Sequence, residues 1–198
     1  MSSTKIIPPE TLLKGYSRGI FPMSESRDDE DVGWFSARMR GIIPLDQFKV
    51  SGNVSRIIRQ NRFHCRVNSC FREVIENCAD RDSTWISELI INSFEVLHLS
   101  GNAHSVEIFN QEGRLAGGLY GVTLGAAFFG ESMFRVENEA DKVALWYCHN
   151  ILSRRGFELW DTQFYTKHLA QFGCVEITPI EYKNRLQNAL NKSAVFKI

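Results

Sequence analysis

The apolar pattern changes period at His104, from helical spacing to alternation, and this change limits the folds open to the chain more than any other feature. Val106 and Ile108 alternate with Ser105, Glu107 and Phe109, a Gln111-Glu112-Gly113 turn follows, and Leu115 to Val122 returns as a hairpin partner. Ala126 to Phe134 supplies a third strand, so the segment reads as an antiparallel meander. Beyond it, Val143, Ala144, Tyr147, Ile151 and Leu152 share one helix face, with Asn138 as the expected N-cap and Gly156 as the stop. A short buried strand over 157–160, a helix over 166–172 ended by Gly173, and a last strand over 175–178 complete the series. Helices before a meander, then helix, strand, helix and strand, give an α+β domain with a mixed sheet.

The helices come first in the chain. Pro8-Pro9 opens one that carries Leu12, Leu13 and Tyr16 and closes at Gly19. Five acids within Glu25 to Asp31 mark a solvated loop, and Trp34-Phe35 restarts the apolar pattern. Over Asn53 to Arg62, Val54, Ile57 and Ile58 sit at helical spacing with Arg56, Arg59 and Arg62 mostly opposite, a basic stripe on an amphipathic helix. Two more helices follow, one on Phe71, Val74, Ile75 and Cys78, the other from Ile86 to Leu97 and ended by Gly101. A boundary near residue 62 divides the chain into a small N-terminal domain, 1–62, and a larger one, 63–198.

Charge excludes a strong general attraction to nucleic acid, because Lys+Arg and Asp+Glu number 23 each. Any RNA contact must come from a local patch, and Arg38, Arg40, Arg56, Arg59 and Arg62 cluster early enough to form one. The five cysteines are odd in number and irregularly spaced, as in a reduced cytosolic protein. His64-Cys65 with Cys70 lacks zinc-ligand spacing, and Gly117-Gly118-x-x-Gly121 has no lysine or strand-to-helix junction to make a phosphate loop. No uncharged run approaches the roughly 20 residues that span a bilayer, so the expected location is cytoplasmic.

Two acids stand where strand ends can converge on one cleft. Glu131 follows the apolar run in Phe128-Phe129-Gly130-Glu131-Ser132-Met133-Phe134, and Asp161 follows another in Trp160-Asp161-Thr162-Gln163. Pattern alone also allows a turn, a cap or an ion pair for each.

These two motifs occur with Tyr16-Ser17-Arg18-Gly19-Ile20-Phe21-Pro22, Thr84-Trp85-Ile86, Ala103-His104-Ser105-Val106-Glu107, Gly117-Gly118-Leu119-Tyr120-Gly121, Lys142-Val143-Ala144-Leu145 and His168-Leu169. In this order, across nearly the whole chain, the set resembles the leucyl/phenylalanyl-tRNA–protein transferases. The resemblance implies an acetyltransferase-like catalytic domain behind a small tRNA-facing one, and the order of elements is compatible with it. It implies transfer of Leu or Phe, with Met a further candidate, from aminoacyl-tRNA to a protein whose first residue is Lys or Arg, marking that protein for N-degron degradation. Neither a metal nor an organic cofactor is required, since the ester is already activated.

Carried over residue by residue, the resemblance makes Asp161 the proton acceptor or amine-orienting carboxylate, Gln163 its partner and Glu131 a substrate-positioning member of the catalytic set. Leu119, Phe128, Ser132, Met133, Cys148 and Leu152 would surround the donated amino acid, and Trp34 and Trp85 would stack on the terminal adenine or cover the cleft. Arg38, Arg40, Arg56, Arg59, Arg62 and Arg135 would contact the tRNA. The chain departs from the family at Phe35, Ala37, Arg135, Asp141 and Thr162, where the family has Trp, Pro, Ser, a small residue and Cys. Two other classes share parts of this pattern: a coenzyme-A-dependent N-acetyltransferase, and a tRNA-binding module without catalysis.

Overall fold

The computed structural model describes residues 5–197. The meander forms as predicted, from β5 (Ala103–Phe109), β6 (Leu115–Leu124) and β7 (Ala127–Arg135), each antiparallel to the next. Gly125 makes the tight turn between the last two at φ +59°, and a Cβ there would come within 2.6 Å of the Ala189 carbonyl oxygen. Before the meander come helix α1 (Pro9–Ser17), strands β1 (Phe21–Met23), β2 (Gly33–Phe35) and β3 (Arg40–Ile42), helix α2 (Gly52–Arg59), strand β4 (His64–Val67), and helices α3 (Phe71–Ala79) and α4 (Glu88–Leu99). After it come α5 (Ala140–Arg154), β8 (Leu159–Gln163), α6 (Lys167–Ala170), β9 (Val175–Ile177) and α7 (Pro179–Leu190). The result is the expected α+β class with a mixed sheet.

Seven strands lie in the order β4-β5-β6-β7-β8-β3-β9, with β7 and β8 parallel and the other pairs antiparallel. Successive residues face opposite sides of a strand, so Tyr120 and Phe129 enter one core while Leu119 and Phe128 enter the other. The first core is covered by α1, α3, α4 and α7 through residues such as Leu12, Ile75, Phe94 and Leu186. The second is covered by α2 and α5 through Val54, Ile57, Val143 and Leu152. With both faces covered, the interior of β6 is buried throughout, which is why its sequence is nearly continuous in apolar and small residues.

Several expectations are corrected. A boundary at 62 does not match the sheet: β3 lies within the large sheet between β8 and β9, and α2 packs on α5. Asn138 does not cap α5, whose N-cap position is Glu139 at φ +74° without a side-chain cap bond. Helix α7 was not anticipated, although Thr178 bonds the Glu181 N–H at 3.3 Å and Pro179 opens the first turn. Thr178-Pro179-Ile180-Glu181 carries the start signal, but the buried stripe of Tyr182, Leu186 and Ala189 is narrow and Ile180 faces solvent.

Candidate active site at a gap between parallel strands

Strands β7 and β8 pair at Ala127–Leu159, Phe128–Trp160 and Phe129–Asp161, and their pairing ends there although both strands continue. On its other side β7 carries a bulge. Tyr120 faces Ser132 and Gly121 faces Gly130, so Glu131 is the extra residue between two registered pairs. A bulge turns a side chain out of the regular alternation, and here it brings Glu131 to the gap that opens beside β8. A cavity of about 80 Å³ fills the gap, walled by Leu119, Tyr120, Phe128, Met133, Leu145, Trp160 and Leu169, with Glu131, Ser132, Thr162 and Gln163 as polar members. A wider groove of about 400 Å³ shares Glu131, Ser132, Met133, Thr162, Gln163 and Leu169 and adds Arg81, Arg135, Asp141 and His168.

Asp161 is fully buried beneath this gap and its oxygens are occupied. Arg40 donates to it from Nε at 2.8 and 3.0 Å and from Nη2 at 2.7 Å, Tyr182 from its hydroxyl at 2.6 Å, and the Gln163 backbone N–H at 2.8 Å. Arg40 also donates to the Gly19 carbonyl at 2.9 Å and lies between the Phe21 and Tyr182 rings. Burial alone would lower the Arg40 pKa, but the Asp161 carboxylate outweighs it and holds the guanidinium firmly charged. Arg40 is therefore removed from the RNA-facing set: it is 2% exposed and committed to an internal ion pair.

Gln163 does not simply continue the strand. Its φ of +56° is left-handed, unusual for a residue other than glycine, and it sends the side chain to Glu131 while the backbone N–H holds Asp161. Gln163 Nε2 donates to Glu131 Oε1 at 3.1 Å, and the Tyr16 hydroxyl donates to the same oxygen at 2.8 Å. Oε2 of Glu131 accepts no hydrogen bond among the described residues. Burial pushes the Glu131 carboxyl up to about 8; the Tyr16 bond and Arg40 oppose the rise and Asp161 adds to it.

Of the residues expected around the donor side chain, Leu119, Phe128, Ser132 and Met133 line this cavity. Cys148 and Leu152 do not; both are fully buried in the second core, one and two turns farther along α5 than Leu145. Leu145, Cys148 and Leu152 form one helical stripe, so spacing alone does not show which turn reaches the cavity. Trp34 lies over Gly15, where an added Cβ would meet its ring at 2.2 Å, and Trp85 packs against the first core. Neither lines the cavity.

Arg38, Arg56, Arg59 and Arg62 are exposed. Arg56 donates to Asn53 at 2.8 Å, and Arg62 approaches Glu137 at 3.7 Å. Arg135 lies 3.9 Å from Asp141, so two of the chain's departures from the resembled pattern face each other. Tyr16 and Tyr182 are polar members of the site that sequence reasoning did not single out. Tyr16 stands in the quoted N-terminal run, whereas Tyr182 belongs to the unanticipated helix.

Residues 42–187 match the family model for leucyl/phenylalanyl-tRNA protein transferase, and residues 6–38 match the model for that family's N-terminal domain. A leucyl/phenylalanyl-tRNA–protein transferase of Ruegeria pomeroyi is 48% identical over 190 residues, covering 96% of this chain and 90% of the relative. Among solved structures, L-PGS from Bacillus licheniformis is similar at a TM-score of 0.45 and 14% identity, over 69% of this chain and 50% of its own. A GCN5-related N-acetyltransferase-like protein from Streptococcus suis is similar at a TM-score of 0.33 and 12% identity, over 81% and 59%. With most of its length matched by the family's models and nearly half of its residues shared with that relative, the chain belongs to the leucyl/phenylalanyl-tRNA protein transferase family.

Proposed function

We propose that this chain transfers leucine or phenylalanine from aminoacyl-tRNA to the N-terminal amine of a protein, with Glu131 taking the proton that the attacking amine loses. Family membership supports the reaction. One observation supports the role of Glu131: it reaches the cavity with Oε1 fixed by Tyr16 and Gln163 and Oε2 left without a partner among the described residues. Its carboxyl, pushed up to about 8 by burial, is matched to an α-amine that titrates at about 7.7–8.0, and such matching favours proton transfer near neutral pH. Asp161 becomes a positioning residue on this reading. Its oxygens are filled by Arg40, Tyr182 and Gln163, and through the Gln163 backbone it holds the amide that orients Glu131.

The amine nitrogen attacks the ester carbon, and the tetrahedral intermediate then releases the ribose 3′-oxygen, which takes the proton. Leu119, Phe128, Met133 and Leu145 hold the donor's apolar side chain. Arg38, Arg56, Arg59, Arg62 and Arg135 are exposed and contact tRNA phosphates, Arg62 and Arg135 giving up their long ion pairs with Glu137 and Asp141 to do so. The acceptors are proteins beginning with Lys or Arg, marked in this way for N-degron degradation in the cytoplasm. Glu131 and Asp141 in the groove suit a cationic first residue.

The test is Glu131→Gln in single-turnover transfer of labelled leucine or phenylalanine to a Lys-start peptide. The expected result is a rate lower by about 10²–10⁴, with tRNA affinity within a few-fold of the parent. Transfer by Glu131→Gln at the parent rate overturns the assignment.

A further inference from the structure

Three buried tyrosines lie near the two acids of the site, and two have a clear use for their hydroxyls. Tyr16 donates to Glu131 and Tyr182 to Asp161. Tyr120 is different. It sits on β6 opposite Ser132, is 0% exposed, and has its ring held edge-on by Phe71 and Phe94 at 5.9 and 5.7 Å. Its hydroxyl oxygen is buried with no hydrogen-bond partner among the described residues. A buried donor left unpaired costs stability, and phenylalanine would fill the same shape without that cost. A tyrosine here is accounted for by a partner that arrives with substrate.

Tyr120 lines the cavity that holds Glu131. Burial, and then the nearby Glu131 charge, push its phenol well above the ordinary range, so it stays protonated and acts as a donor, not a base. Several other donors at the gap are engaged already, Ser132 Oγ accepting from Arg81 at 3.3 Å. Tyr16 and Gln163 are bonded to Glu131, and the Thr162 hydroxyl lies 3.4 Å from the Phe164 carbonyl. Aminoacyl transfer creates a demand for one more donor, because the ester carbonyl oxygen becomes an oxyanion when the amine adds.

We propose that the Tyr120 hydroxyl is a catalytic donor, hydrogen-bonding the carbonyl oxygen of the aminoacyl ester and stabilising the oxyanion that forms on it. This rests on the transferase reading above. As the amine nitrogen bonds to the carbonyl carbon, the C=O π pair moves onto the oxygen facing Tyr120 and the amine proton passes to Glu131. When the C=O bond re-forms, the bond to the ribose 3′-oxygen breaks, and that oxygen takes the proton from Glu131. An amide and a free 3′-hydroxyl result, and Tyr120 keeps its own proton throughout.

The test compares Tyr120→Phe with the parent in urea unfolding and in single-turnover transfer from Leu-tRNA and Phe-tRNA. The expected variant is as stable as the parent or more so, keeps the KM for charged tRNA within about two-fold, and transfers about 10²–10³ times more slowly at saturation. Transfer at the parent rate overturns the proposal and makes the hydroxyl an unpaired core atom. A raised KM with an unchanged saturating rate also overturns it, since the contact would then be made equally in the ground state. If the parent itself transfers neither amino acid, the transferase reading fails and this proposal with it.

Discussion

Replacing Arg40 with Met removes a cation from a site where solvent cannot take over its role. Arg40 and Asp161 have side-chain exposures of 2% and 0%, and the substitution deletes three hydrogen bonds to the carboxylate and one to the Gly19 carbonyl. Asp161 keeps only Tyr182 and the Gln163 N–H as donors. Breaking a buried pair from one side typically costs about 3–5 kcal/mol, because the remaining charge is uncompensated. Arg40 is also packed between two aromatic rings, and Met refills part of that volume, so the charge effect dominates the shape effect. At a urea m-value of about 2 kcal/mol/M the unfolding midpoint should fall by roughly 1.5–2.5 M. The double variant Arg40→Met with Asp161→Asn should recover part of the loss, because no charge is then left alone and the Asn oxygen can still accept from Tyr182 or the Gln163 N–H. A single-variant loss below about 1 kcal/mol, the range of an exposed surface pair, would refute the buried-pair reasoning.

Neutralising Arg56, Arg59 and Arg62 together should weaken tRNA binding without changing the donor amino acid, and the log–log salt slope should fall by about 0.7–0.9 per lost phosphate contact; filter binding across a salt series reads this, and an unchanged slope would make the stripe a solvated face. Phe128→Ala or Met133→Ala should shift the Leu-to-Phe preference in kcat/KM by an amount worth about 1–3 kcal/mol, because each lines the cavity, whereas Leu152→Ala should mainly lower the unfolding midpoint.

The parts of the fold written in local periodicity were legible in the sequence. The β5–β7 meander alternates, and α2 and α4 carry periodic apolar faces. Strand β3 was not legible, since three residues, Arg40-Gly41-Ile42, carry no period and their pairing with β8 and β9 is fixed by distant chain. The same distance hid the role of Arg40. A cation in a basic segment is exposed by default, and its partner lies 121 residues away. Both acids of the site were visible at the ends of apolar runs. The division of labour proposed for them was not, because it rests on a one-residue bulge at Glu131 and a left-handed turn at Gln163, which sequence spacing does not encode.

The proposed proton acceptor, Glu131, is tested most directly by the pH dependence of single-turnover transfer in the parent and in Tyr16→Phe. Only the ionised carboxylate can accept the proton, so the parent rate should rise with pH through about 8, where burial holds this group. The Tyr16 hydrogen bond lowers the Glu131 pKa, so removing the hydroxyl should raise it and move the rising limb to higher pH. The acceptor amine titrates in the same range but is common to both enzymes, so the displacement between the two curves reports Glu131. Two superimposable profiles would contradict the account.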